Sequence, residues 1–216
     1  RFGTPGPDGK PRPFHLYSMR QAIEEGFILD VLRNYQTYGA YYRLESAIED
    51  DPRLLERKSA RKVARFANLH ETALTQKAAV IVDHFRRHVL PELDHEAKAM
   101  VVTSSREHAI RMQKAIARYI AQERYEDVQA LVAFSGDVEV GGETFTEAAM
   151  NGFSETELPR RFDEGPWNIL VVAEKYQTGF DQPKLVAMYV DRHLKGLQAV
   201  QTLSRLNRTH PGKDRT

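Results

Sequence analysis

Residues 167–208 read WNILVVAEKYQTGFDQPKLVAMYVDRHLKGLQAVQTLSRLNR, and their pattern decides the fold class. Two apolar runs, Ile169–Ala173 and Leu185–Val190, each lead into a polar segment. Short apolar runs of this kind suit buried strands. After the first comes Thr178-Gly179-Phe180-Asp181. After the second comes a helix-like stretch, Leu197–Leu206, with Gln201, Arg205 and Arg208 at spacing Q-x-x-x-R-x-x-R. Open α/β sheets place their ligands beyond strand ends. Two arginines three apart on a helix share a face. Their guanidinium donors suit the oxygens of a polyphosphate.

The same alternation extends upstream. Ala99-Met100-Val101-Val102 is a buried-strand pattern that ends at Thr103-Ser104-Ser105-Arg106. Ser104 and Glu107 stand at capping-box spacing, so a helix is expected to start there, with Ala109, Met112, Ile116 and Tyr119/Ile120 as its apolar face. Free N–H groups at such a start, with hydroxyls and Arg106 beside them, suit an anion; the alternative is a simple cap. Val128–Phe134 is the next strand pattern and ends in Ser135-Gly136. A long polar excursion, 137–164, follows. In it Val138/Val140 and Thr144/Phe145 flank Gly141-Gly142, which predicts a small hairpin. Excursions this long are usually functional insertions.

Strands alternating with helices imply a parallel, doubly wound α/β sheet over 97–216. A helical segment, 14–96, is expected before it, and 1–13, rich in Pro and Gly, is expected to be linker. Gly6, Gly9 and Lys10 faintly echo a phosphate-binding loop, but the G-x-x-x-x-G-K-[ST] pattern is absent. Ile23, Phe27, Val31 and Tyr35 recur at helical spacing. Tyr35, Tyr38, Tyr41 and Tyr42 could stack on bases or serve as packing surface. Arg53, Arg57, Arg61 and Arg65, with Lys58 and Lys62, would line one face of a helix; that stripe suits DNA phosphates or a solvated surface. Thr75–Val89 reads as a further helix. Its His84 and His88 stand at i,i+4, but without an HExxH pattern or a third ligand they do not make a metal site.

Composition sets outer bounds. With 31 Lys+Arg against 30 Asp+Glu the net charge is +1, so any nucleic-acid surface must be local. Cysteine is absent, which excludes disulfides and cysteine-ligated zinc and fits a reducing compartment. No apolar run is long enough to cross a membrane. The chain opens on Arg1 rather than Met, and a fragment of a larger protein is expected.

Particular words go further than spacing. Gln201–Arg208 (QTLSRLNR) resembles motif VI of the superfamily 2 helicases. Lys175–Pro183 (KYQTGFDQP) resembles motif V, and Val101–Arg106 (VVTSSR) resembles motif IV. With Ser18–Leu32 (SMRQAIEEGFILDVL) and Val132–Gly136 (VAFSG), the blocks resemble, in order, the motor (R) subunit of type I restriction enzymes. Ser204 stands where motif VI usually has Gly, which fits the restriction branch.

The resemblance implies the second RecA-like domain of an ATP-driven double-stranded DNA translocase, a P-loop-type fold without its own P-loop. In that family ATP lies between two RecA-like domains. The first supplies the Walker loop and the acidic magnesium motif, and neither pattern is in this sequence. ATP and Mg2+ are therefore expected in the intact subunit, held mainly by the first domain, with neither tightly bound here. The fragment alone is expected to be inactive.

Carried over residue by residue, Arg205 and Arg208 would act on the γ-phosphate, with Gln201, Asp181 and Gly179 near the nucleotide. Thr103, Ser104, Arg106 and Thr178 would hold DNA. Implied partners are double-stranded DNA, the methyltransferase and specificity subunits, and the first RecA-like domain, in a cytoplasmic setting without membrane contact. Two other readings stay open: another superfamily 2 motor, of type III restriction or repair, and a non-catalytic docking module built from the helices of 14–95.

Overall fold

The computed structural model describes residues 4–5, 11–12, 18–31, 71–176 and 180–214, and every structural statement refers to these. The basic stripe 53–65, the tyrosines 35–42, the 6–10 loop, Thr178 and Gly179 lie outside them.

A parallel sheet organises the chain. Its strands are β3 (Lys98–Thr103), β4 (Ala130–Ala133), β7 (Ile169–Val172) and β8 (Leu185–Asp191). They lie in the order β4-β7-β3-β8, and every pairing is parallel. The central strands β3 and β7 are buried along their whole length. This is why they read as unbroken apolar runs rather than as alternation. Side chains still alternate between the faces. Ala99, Val101, Ile169 and Val171 enter one core, while Met100, Val102, Leu170 and Val172 enter the other.

Helices cover both faces. On the first lie α2 (Glu71–His84) and α3 (Arg106–Glu123), through Leu74, Ala78, Ile81 and Val82 and through Ile110, Met112 and Ile116. On the second lies α5 (Leu158–Glu164), through Leu158 and Phe162, joined by Phe180 and Leu206. The result is an α/β fold with helical chain ahead of the sheet, an arrangement consistent with a RecA-like domain. Helix α2 shares its core with the sheet. No helix among the described residues is long and apolar enough to cross a membrane.

The expected strands and the hairpin are present. The hairpin is β5 (Val138–Val140) against β6 (Glu143–Phe145), turned at Gly141 and Gly142. Both glycines have positive φ, 62° and 84°, as a two-residue hairpin turn demands. Thr4–Pro5 (β1) also pairs antiparallel with Pro11–Arg12 (β2) inside the expected linker.

Several boundaries differ from expectation. Helix α3 is capped by Ser105, whose side chain accepts from His108 N–H, and not by Ser104. The apolar stripe from Ile23 onward is not one helix. Helix α1 (Met19–Glu24) stops before Gly26, which takes φ 75° and ends it as a left-handed C-terminal glycine does. Phe27 is left exposed. The excursion 137–164 is structured, with α4 (Glu147–Asn151) and α5 after the hairpin. Helix α6 runs Gly196–Leu203, so Arg205 and Arg208 stand in the turn after it.

Candidate functional site

Of the motif residues, the structure brings Arg208 and Asp181 together. Arg208 Nε lies 3.2 Å from Asp181 Oδ1, and both side chains are about half exposed or more, at 48% and 68%. Among the described residues no protein acceptor holds the terminal nitrogens of Arg208. Arg205 is placed differently. Its Nη1 donates to Phe180 O at 2.9 Å, its Nε to Gln201 O at 3.4 Å and its Nη2 to Ser204 Oγ at 3.4 Å. In this arrangement Arg205 ties the turn after α6 to the residue before Asp181. Gln201 contributes its carbonyl to that tie, and its side chain is exposed.

The position of Asp181 follows from the topology. Strands β7 and β8 are parallel, so the connector 173–184 returns from the carboxyl end of one to the amino end of the other. Asp181 stands four residues before β8, on that return, and not at a strand's carboxyl end as the spacing suggested. Phe180 and Leu206 lie in the second core and root the pair there.

Thr103, Ser104 and Arg106 do stand at the carboxyl end of β3, but each already has a partner within the fold, and only two remain exposed. Thr103 is fully buried, and its hydroxyl donates to Val172 O at 2.9 Å. Arg106 Nη1 donates to Ser135 O at 2.8 Å, across to the end of β4. Ser104 is exposed, and its Oγ lies 3.0 Å from His108 Nδ1. Ser104 N–H donates to the same nitrogen at 3.4 Å, so Nδ1 is the acceptor and Nε2 carries the proton. Ser104 and Arg106 are the members of this group open to a ligand.

Behind them lies a buried network that sequence reasoning missed. His108 Nε2 stands 3.1 Å from Asp191 Oδ2, angled away from a linear hydrogen bond. Lys77 Nζ donates to both oxygens of Asp191, at 2.7 and 2.9 Å. Burial alone would raise the Asp191 carboxyl; the neighbouring His108 N–H and the Lys77 ammonium outweigh it and hold it below the ordinary range. The network ties α2 and α3 to the end of β8.

A second missed group braces the motif V segment. Glu147, at the start of α4, is buried, and its Oε2 accepts from Phe134 N–H and from Lys175 Nζ, each at 2.8 Å. Lys175 also donates to Glu155 at 2.8 Å. Burial raises the Glu147 carboxyl even against the lysine. Burial works against the charge of Lys175, yet the two glutamates raise it above its usual value. Glu174 and Tyr176, on either side of Lys175, hold φ of 61° and 64°, a conformation that side chains rarely adopt. The excursion 137–164 thus acts as a brace on the connector that carries Asp181.

His84 Nδ1 lies 2.9 Å from the Tyr189 hydroxyl, and burial, then His88, lowers its pKa. Among the described residues no group of three His, Asp or Glu side chains could hold a metal ion.

Residues 141–216, which carry the connector and the Asp181–Arg208 pair, match the family model for type I restriction enzyme subunit R domain 3. A putative type I restriction enzyme endonuclease subunit, MjaVIIP, of Methanocaldococcus jannaschii is 27% identical over 184 residues, 76% of this chain and 17% of the relative. The HindI endonuclease subunit of Haemophilus influenzae is 24% identical over 220 residues, 93% of this chain and 19% of the relative. Over these stretches the chain is similar to the R subunits of type I restriction enzymes. It spans less than a fifth of the length of these relatives. The Asp181–Arg208 pair, the Arg205 tie and the Lys175 brace all fall within the stretch that the domain 3 model covers.

Proposed function

We propose that the chain is the second RecA-like half of the ATP-dependent double-stranded DNA translocase motor of a type I restriction enzyme. The observation that carries the reading is Arg208, half exposed and paired through Nε with Asp181 at 3.2 Å, with no acceptor hydrogen-bonded to its terminal nitrogens among the described residues. A guanidinium so presented fits the oxygens of a phosphate. A domain numbered third in the R subunit also suits a second motor half that follows a nuclease and a first motor half.

Arg208 would hold the terminal phosphate of ATP, with Asp181 fixing its orientation. The nucleotide supplies the phosphoryl group, and Mg2+ would be held mainly by the preceding motor half. Placing a fixed cation where negative charge develops stabilises the transition state without reorganisation. Arg205 would set the spacing of that pair through Phe180 O. Ser104 and Arg106, at the carboxyl end of β3, would meet the DNA backbone. Further partners would be the methyltransferase and specificity subunits, in the cytoplasm.

The test is ATP turnover by the complete gene product with and without double-stranded DNA, across a salt series. Hydrolysis that depends on DNA and weakens steeply with salt is expected, because phosphate contacts release counterions. Turnover indifferent to DNA, or none at all in the assembled complex, would overturn the reading.

A further inference from the structure

The segment that carries Asp181 is pinned at both ends by cations from the turn that carries Arg208. At its start, Arg205 Nη1 donates to Phe180 O. At its end, Lys213 Nζ donates to Pro183 O at 3.2 Å. The same ammonium donates to Leu206 O and to Arg208 O, each at 2.9 Å. Three N–H groups meet three carbonyls, two from the Arg208 turn and one from the Asp181 segment.

The local sequence delivers Lys213 to this place. His210-Pro211-Gly212-Lys213 closes a turn, with Lys213 N–H donating to His210 O at 2.9 Å and Gly212 at φ 79°. Proline second and a positive-φ glycine third are the residues of a type II turn. The turn folds Lys213 back beneath the residues it follows, where it is 6% exposed.

The chemistry is unusual for a surface domain. Among the described residues the partners of the ammonium are carbonyls, not carboxylates. Burial without a counter-charge lowers its pKa from 10.5 to about 8. A neutral amine has two donors and would leave one of the three carbonyls unserved. A methionine of similar length would leave all three. The carbonyl between the two from the turn is also taken, since Leu29 N–H donates to Asn207 O at 3.0 Å. The turn is therefore fixed carbonyl by carbonyl.

We propose that Lys213 is a positioning residue whose ammonium, by gathering Pro183 O, Leu206 O and Arg208 O, sets the spacing between Arg208 and Asp181. The inference rests on the motor reading for its consequence in turnover, but not for its geometry.

Two measurements separate those parts. In the 216-residue chain, 15N NMR reads exchange of the Arg208 Nε–H with water in wild type, Lys213→Met and Lys213→Cys. The chain has no other cysteine. Aminoethylation of Lys213→Cys therefore rebuilds a lysine analogue at one place, in denaturant followed by refolding if the variant does not fold. Faster exchange in both variants, restored by aminoethylation, is expected; unchanged exchange in either variant overturns the clamp.

In the complete gene product, Lys213→Met is expected to lower kcat for DNA-stimulated ATP hydrolysis by about tenfold or more, since small misplacements of a reacting group carry such penalties. KM for ATP should stay within roughly twofold. Faster exchange with wild-type kcat would make Lys213 merely structural and overturn the positioning role. If the wild-type product shows no DNA-stimulated hydrolysis, the motor reading falls, and NMR alone decides the clamp.

Discussion

Asp191→Asn tests the buried network behind the end of β3. The substitution keeps shape and removes charge. It leaves Lys77 (17% exposed) and His108 (1% exposed) facing an amide in place of a carboxylate. Breaking a buried pair by removing one partner costs roughly 3–5 kcal/mol, mostly because a charge is left uncompensated. Lys77 retains some contact with water, so about 2–4 kcal/mol is the reasonable range here. With a urea dependence of roughly 1–3 kcal/mol per molar, the unfolding midpoint should fall by about 1–2 M.

A control comes from the surface. Arg118 pairs with Glu71, but their side chains are 60% and 71% exposed. Glu71→Gln should therefore shift the midpoint little, as exposed pairs contribute about 0–1 kcal/mol. Adding Lys77→Met to Asp191→Asn should recover part of the loss, because the stranded charge is gone. The reasoning would be refuted if Asp191→Asn cost no more than Glu71→Gln, or if the second substitution added its full cost to the first.

Alkaline stability should show the buried lysines. Lys98, whose Nζ donates to Trp167 O, and Lys213 both have pKa values lowered to about 8, chiefly by burial. Between pH 8 and 10.5 the unfolded chain binds more protons than the folded one, so stability rises with pH in that window, by roughly 3 kcal/mol for each lysine. Urea unfolding at pH 7.5 and 10 should show a clearly smaller rise in Lys213→Met than in wild type; equal rises would contradict the burial argument. Phe162→Ala should cost about 3–5 kcal/mol, since its ring is fully buried between α5 and the sheet. A loss below about 1 kcal/mol would mean that α5 does not close the second face.

The strands were legible because β3 and β7 are buried on both sides and therefore read as unbroken apolar runs, Ala99–Val102 and Ile169–Ala173. The hairpin was legible because Gly141-Gly142 supply the two positive-φ residues its turn needs. The stripe Ile23-Phe27-Val31 suggests a longer helix than α1, because its spacing does not show that Gly26 ends it. The cap of α3 lies one residue beyond the one the sequence suggests, because adjacent serines offer the same side chain and only backbone geometry chooses Ser105.

The segment Ser154–Glu164 looked like loop, yet its capping box, Ser154 with Glu157, was a readable signal. At the site, the motif words led to Asp181 and Arg208, and the structure pairs them. The supporting cations were not legible. Lys77 meets Asp191 across 114 residues, and Lys175 meets Glu147 across 28. Such partners are chosen by the tertiary fold. Thr103 is another such case: its hydroxyl looks exposed in the motif but is spent on a neighbouring strand.

The role proposed for Arg208 is to complete an ATP cleft. Its most direct test is DNA-stimulated ATP turnover by the complete gene product carrying Arg208→Ala, beside wild type and with folding checked by thermal unfolding. Arginines that stabilise phosphoryl-transfer transition states contribute about 10³–10⁵ in kcat. A loss of at least roughly 10³-fold with an unchanged unfolding temperature is expected. Turnover near the wild-type rate would contradict the account.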